Sequence, residues 1–439
     1  MGSLRRNFGG DSTLVLVATV IIAASLFLLD TAIVSGDGTV QHDFAYRQTA
    51  FAIIGLGLAF GVSRVPLAFW QEHWMHALGV AVFGVVLVRF VGSVVNGARS
   101  WIDFGPISLQ PSEFAKVLCI IALAGFLTER SREVKSRRVF LAALGLMAIP
   151  ALIVFLQPDF GTAQIFGYIT FVMLFFAGAR WTHLTTLAGI LVVVIVLVLG
   201  VLPSVGLSVL QDYQVKRLTG FLDQEADAQG SNYQTIQAKI AIGSGQLAGR
   251  PKEEASQVQQ GFLPEPQNDF IFATLVERYG FVGGAIVLGL YGLLLSRLLA
   301  AVGTATSYFG RLVASGVAAL IFSQLMVNVG MVVGVLPVTG VPMPMFSYGG
   351  SSLWTSMIAL GLVIAVLRES EAPQARYQRR TGRPVGGFGS LRATSGERSN
   401  GGRSTARPGV MTPSSARSPL VGGTRSRRSA TRSRRRPSR

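Results

Sequence analysis

Apolar positions along this chain come in long blocks separated by polar connections, not in the alternating or one-faced patterns of soluble strands and helices. Ten blocks stand out, at approximately residues 13–34, 49–67, 74–95, 112–128, 139–156, 160–179, 183–203, 270–296, 312–336 and 351–367. Each comes close to or exceeds the ~20 residues that carry a helix across a ~30 Å hydrocarbon layer. The pattern predicts an all-α polytopic membrane protein with about ten transmembrane helices. A large extracytoplasmic loop would lie between the seventh and eighth helices, and a disordered C-terminal tail after the tenth. The first block, Leu14–Val34, has no clear small-residue cleavage site before the next span and reads as a retained helix, not a signal peptide.

Cations orient these spans, because cytoplasmic connections carry an excess of Lys and Arg. Arg5 and Arg6 precede the first helix, and Arg130, Arg132, Lys135, Arg137 and Arg138 fill the connection between the fourth and fifth. Arg180, Arg297 and Arg311 follow in connections of the same parity, whereas the short connections of opposite parity hold chiefly Arg47 and Arg99. Both termini are thereby expected in the cytoplasm. Residues 1–12 form the N-terminal segment, 13–368 the membrane domain with its loop at 204–269, and 369–439 an Arg-rich tail.

The composition agrees: 50% of residues are hydrophobic and 14% charged. The net charge of +17 belongs almost wholly to the tail, where 17 arginines follow position 370 against Glu371 and Glu397. That segment is rich in Gly, Ser, Pro and Thr and is expected to be disordered and to touch anionic lipid headgroups. It lacks the aromatic interleaving of a nucleic-acid binder. Cys119 is the single cysteine and has no internal disulfide partner. No Walker loop, dinucleotide fingerprint, nucleophile elbow or zinc spacing appears.

Four polar stretches fall in or beside connections of the outer parity. In Gly261–Gly284, GFLPEPQNDFIFATLVERYGFVGG, Asp269 sits where a polar loop becomes an apolar helix. It reads equally as an N-cap or as a boundary carboxylate with a chemical role. In Asn96–Lys116, Glu113 and Lys116 lie three apart on one helical face and can pair, Pro111 suits a first turn, and Ser112 can cap. Arg99 beside Trp101 suits a headgroup phosphate at the interface. Asp159 occupies the short turn of LQPDFGTAQ, again as cap or functional acid. In Val335–Leu353, prolines and glycines exclude a regular helix, leaving Ser347, Tyr348 and Gly349–Gly350 to present hydroxyls and amides. Gln324 and Asn328 are expected to hydrogen-bond between helices. The piece IQAKIAIGSG is expected to form a short helix lying on the membrane surface or covering the bundle.

Taken together, GARSWIDFG…QPSEFAK, QPDFGTA, GFLPEPQNDFIFATLVERYG and LPVTGVPMPMFSYGGSS resemble, in order, the signatures of the SEDS family (shape, elongation, division and sporulation). The resemblance covers roughly residues 13–368. Within the family, IQAKIAIGSGQLAG and PVTGVPMPMFSYGGSS look more like the elongation branch than the division branch. Gln267-Asn268 departs from the His-Thr often found before the acid.

The resemblance implies a peptidoglycan glycosyltransferase that polymerises lipid II at the outer face of the bacterial cytoplasmic membrane, with Asp269 as catalytic base. The residues themselves supply compatible substrate contacts: Arg99 with Trp101, Lys116 and Arg217 toward the leaving diphosphate, Glu113 holding Lys116, Asp159 organising the cavity, and Ser347 and Ser351 lining the substrate path. Asp159 is a possible ligand for a divalent cation, Mg or Mn. A class B penicillin-binding protein and membrane proteins of the elongation machinery are the implied partners. Two alternatives stand beside this reading: a lipid II flippase, which would need polar groups at several depths, and a scaffold for a transpeptidase.

Overall fold

The computed structural model describes residues 12–32, 42–95, 98–105, 107–197, 233–251, 254–259, 262–263 and 265–381. The chain is a bundle of helices: α1 (Ser12–Ala32), α2 (His42–Arg64), α3 (Leu67–Glu72), α4 (Trp74–Val91), α5 (Pro111–Glu129), α6 (Arg137–Phe155), α7 (Phe160–Ala177) and α8 (Trp181–Val196). These are followed by α9 (Tyr233–Gly245), α10 (Ser256–Gln259), α11 (Ile271–Thr304), α12 (Tyr308–Val332) and α13 (Gly350–Thr381). Nine of them are, among the described residues, long and apolar enough to cross a membrane. The expected seventh span corresponds to α8, described over 16 residues. The molecule is a polytopic all-α membrane protein.

Helices α5, α12 and α13 form the enclosed centre. They bury residues around their whole circumference, including Cys119, Ile120, Leu123, Leu312, Val317, Leu360 and Val363. Outer helices turn apolar side chains outward, such as Val80 and Phe83 of α4 and Leu141, Ile149 and Leu152 of α6. In a bilayer these contact lipid, so their exposure costs nothing.

Three boundaries differ from the sequence pattern. The third apolar block does not stay helical to Val95: α4 stops at Val91, and Ser93–Val95 is strand β1. β1 pairs antiparallel with β2 (Ala98–Asp103), which pairs with β3 (Ser108–Leu109). A β-branched run such as Val94–Val95 suits either state, and pairing with the neighbouring polar stretch decides it. Helix α2 starts at His42, seven residues before its apolar block, because its first turns are polar and lie at the bundle's edge. Helix α13 continues past 368 to Thr381, so the first part of the expected tail is helical.

The expected short helix of the large loop is α9, and it covers the bundle: Ala238 and Ala241 are fully buried. Its continuation wedges into α11, which is not one rod but two helices meeting at Gly280 (φ 69°, ψ −171°). The amides freed there are satisfied by the wedge, Phe281 N donating to Gln246 O (2.8 Å) and Val282 N to Leu247 O (3.1 Å). A Cβ on Gly280 would lie 2.3 Å from Leu247 O and 2.4 Å from Gly249 N. Gly280→Ala is therefore expected to lower the thermal midpoint of the purified protein, at a strain of order 1–3 kcal/mol. An unchanged midpoint would show that the wedge does not hold the break.

Candidate active site

All four outer stretches meet at one end of the bundle. α5 begins there with Pro111 in its first turn, as expected, but its cap residue is Gln110 and the Ser112 hydroxyl is buried without a partner. One turn into α5, Lys116 Nζ donates to Glu113 Oε1 at 2.6 Å, with both side chains at most 2% exposed. The second oxygen, Glu113 Oε2, is buried without a hydrogen-bond partner.

Asp159 caps α7 and also joins it to the start of α5. Its Oδ1 accepts from Thr162 N (2.9 Å), which starts α7. Its Oδ2 accepts from Gln110 Nε2 (3.1 Å), tying α7 to the mouth of α5. Burial pushes the Asp159 carboxyl above the usual carboxylate range, opposed by the bonds from Thr162 and by the charge of Lys116. The sign follows. The fold disfavours ionised Asp159, so its contribution is neutral below the ordinary carboxylate range; the penalty builds as pH rises from that range to the elevated value and is constant above it. Asp159→Asn keeps a good cap. Its melting temperature relative to wild type is expected to climb from acid to neutral pH; a gap independent of pH would contradict the raised pKa.

Asp269 packs beside a backbone strap, Thr339–Val341, that also touches the turn after Asp159. Helix α11 is capped at Phe270, not at Asp269, which sits half-buried in the preceding turn. Asn328 of α12 pins the acid's backbone: its Nδ2 donates to Asp269 O (2.9 Å) and to Val341 O (2.8 Å). Its partners are thus loop carbonyls, not the neighbouring helix expected, while Gln324 Nε2 is buried without a partner. Gly161, two residues beyond Asp159, packs so tightly on the strap that a Cβ there would stand 2.2 Å from Thr339 O. Gly340 faces the other acid, its notional Cβ 3.4 Å from Asp269 Oδ2. The strap therefore ties the Asp159 turn to Asp269.

The proline- and glycine-rich segment is irregular, as expected, but its polar groups are engaged within the protein. Ser347 Oγ donates to Asn268 O (2.7 Å) and accepts from Met343 N (2.8 Å). Tyr348 N donates to Gln267 O (2.9 Å) and Gly349 N to Gln48 Oε1 (3.2 Å). Ser351 Oγ accepts from Gln110 N (3.0 Å) and donates to Ser108 O (3.3 Å), joining α13 to β3 and α5. Ser347 and Ser351 are thus buried struts of the site wall; neither presents a free hydroxyl to a cavity. Gln267 and Asn268 both donate to Glu265 Oε2, at 3.2 and 2.7 Å, which shapes the turn leading to Asp269.

Of the remaining expected contacts, Arg99 and Trp101 lie in β2, opposite Val94 and Ser93 of β1. Arg217 is outside the described residues. Sequence reasoning passed over Gln48 and the Thr339–Val341 strap as site-building parts. Only Gly161 and Gly340 could have flagged the strap, as glycines mark close backbone approach.

A divalent cation at Asp159 does not fit this donor set. Asp159 and Glu113 are the carboxylates there; both Asp159 oxygens accept from protein donors, and Glu113 is paired to the Lys116 ammonium. Among the described residues no three acid, histidine or cysteine side chains gather to hold a metal.

Known proteins share this chain's architecture. The family model described as cell cycle protein, of FtsW, RodA and SpoVE, matches residues 11–372. Stage V sporulation protein E of Bacillus subtilis (strain 168) is 38% identical over 367 residues, covering 82% of this chain and 97% of that protein. The probable peptidoglycan glycosyltransferase FtsW of Nitrosococcus halophilus (strain Nc4) is 37% identical, with 75% and 84% covered. The peptidoglycan glycosyltransferase MrdB of Escherichia coli (strain K12) is 34% identical, with 81% and 93% covered. Among solved structures, the rod shape determining protein RodA of Thermus thermophilus matches with TM-score 0.61 at 30% identity, covering 82% of this chain and 98% of that one. A chain from a peptidoglycan synthase complex matches with TM-score 0.67 at 33% identity, with the same coverage. These relatives lie at similar identity and set no branch apart. A family model over residues 11–372, and relatives 34–38% identical over 84–97% of their own length, make this chain a member of the FtsW, RodA and SpoVE family of cell cycle proteins.

Proposed function

We propose that the protein is a peptidoglycan glycosyltransferase that polymerises lipid II at the outer face of the cytoplasmic membrane, in the elongation branch of its family. The observation that carries the reading is that one strap at one end of the bundle touches both a half-buried acid, Asp269, and the turn of Asp159, whose neighbour is the buried cation Lys116. The elongation assignment rests on IQAKIAIGSGQLAG and PVTGVPMPMFSYGGSS alone.

The acceptor's sugar hydroxyl attacks the anomeric carbon of the donor. Asp269 takes the hydroxyl proton as the new C–O bond forms, and the bond to the lipid diphosphate breaks with its electron pair on the leaving oxygen. A positioned base contributes about 10²–10⁴-fold. Negative charge grows on the diphosphate, where a preorganised cation in a dry site is most effective. Lys116 supplies it, held by Glu113, with Arg99 and Arg217 as further candidates at the rim. No step is routed through a metal.

Orientation follows from the cations. Arg130, Arg132, Lys135, Arg137 and Arg138 are exposed at the end of α5 opposite Pro111. A helix of 19 residues puts them roughly 28 Å from the site end, about one hydrocarbon thickness. With these cations in the cytoplasm, the site faces outward and both termini inward. The partner is a class B penicillin-binding protein that crosslinks the strands, accompanied by membrane proteins of the elongation machinery. The arginine-rich tail touches anionic lipid.

The test is polymerisation of lipid II by the purified protein, alone and with the partner transpeptidase, read as glycan strands on a gel. Strands support the enzyme; none in either arm would return weight to transport or scaffolding. The ionisable residues of the site cluster at one end of the bundle, which favours chemistry over a path through the bilayer.

A further inference from the structure

The strap between the two acids has one bare, open position. Thr339 is locked against α7, where its carbonyl oxygen fills the space a side chain at Gly161 would need. Val341 is buried and its carbonyl is held by Asn328. Gly340, between them, is exposed and adopts φ +70°. Its missing side chain would point toward Asp269, 3.4 Å from Oδ2. The Thr339 Oγ1 atom beside it is buried and has no hydrogen-bond partner. A rigid backbone, stripped of its side chain at the one point that faces a reactive carboxylate, is how a chain lets a ligand approach closely.

We propose that the acceptor sugar of the lipid-linked substrate seats on the bare backbone of Gly340, which brings its attacking hydroxyl to Asp269. This rests on the glycosyl-transfer reading and deepens it by giving the acceptor a place. The donor diphosphate lies toward Lys116 and Asp159, with its anomeric carbon at the exposed face of Gly340 where the acceptor hydroxyl can reach it. Gly340 acts by leaving room, so any side chain there blocks the acceptor even where the backbone conformation is preserved.

A simpler role, supplying a left-handed backbone residue, makes a different forecast. Asparagine adopts positive φ at little cost, whereas alanine does not. If conformation is all that matters, Gly340→Asn polymerises nearly as well as wild type. If the acceptor sits there, Gly340→Asn melts like wild type and still binds lipid II at the donor side. It nonetheless loses at least about a hundredfold in turnover, the size expected when a reacting group is displaced by about an ångström.

A second measurement stands if that variant fails to fold. Cys119 is fully buried, so a cysteine at Gly340 is the reactive thiol to follow. In an Asp269→Asn, Gly340→Cys double variant, which holds substrate without turnover, lipid II well above its dissociation constant is expected to slow thiol modification by more than about tenfold. A control cysteine at exposed Ser131, beyond the opposite end of α5, should be unaffected. Activity of Gly340→Asn within about threefold of wild type, or lipid II binding without protection of the thiol, overturns the proposal. Failure of the underlying reading looks different: wild type makes no strands, or Asp269→Asn makes as many as wild type.

Discussion

Replacing Asp269 with asparagine is expected to lower lipid II polymerisation by about 10²–10⁴-fold, the usual contribution of a positioned general base. The fold should be retained, because the backbone of this residue and of the turn before it is held by several hydrogen bonds that asparagine leaves in place. Asn328 holds its carbonyl, and the turn before it is fixed by Glu265 with Gln267 and Asn268 and by Ser347 on the Asn268 carbonyl. Asparagine has nearly the same shape, so the strap at Gly340 can stay where it is. What is lost is the capacity to accept a proton. Glycan strands from wild type beside none from a variant with an unchanged melting curve are the expected pair of results. Equal polymer from both would remove Asp269 from the chemistry and transfer the role of base to Asp159 or Glu113.

The spans were legible because a bilayer reads hydropathy over ~20 residues and little else. The i,i+3 pair of Glu113 and Lys116 was legible for a similar reason, since helical spacing alone puts the two on one face. Where the sequence misled, a long-range partner decided. Val94–Val95 continues an apolar run and becomes a strand only because Arg99 and Ala98 lie opposite. The break at Gly280 is invisible without the wedge of residues 246–249 that fills it. Ser347 and Gly349 look available in the sequence, and their engagement depends on Asn268 and on Gln48, some 300 residues away in the chain. At Asp159 the cap was legible from its place before Phe-Gly-Thr-Ala, whereas the bond of its second oxygen to Gln110, 49 residues away, was not.

The second large effect separates stability from catalysis at the buried ion pair. Lys116→Met leaves Glu113 with an uncompensated charge in the bundle core, where its other oxygen already lacks a partner. Breaking a buried pair by removing one member costs about 3–5 kcal/mol, so this variant should melt well below wild type and make no strands. That result alone is ambiguous, since a destabilised membrane protein is inactive for many reasons. The double variant Lys116→Met, Glu113→Leu resolves it. With both charges gone, the desolvation penalty of each ion disappears too, and such replacements are often neutral or stabilising. The double variant is expected to regain most of the lost melting temperature. It should still fall short in polymerisation by about 10²–10³-fold, the cost of losing one preorganised group that stabilises developing negative charge. Recovery of strands together with recovery of stability would make the pair a structural tie between turns of α5 and leave the diphosphate to cations at the rim.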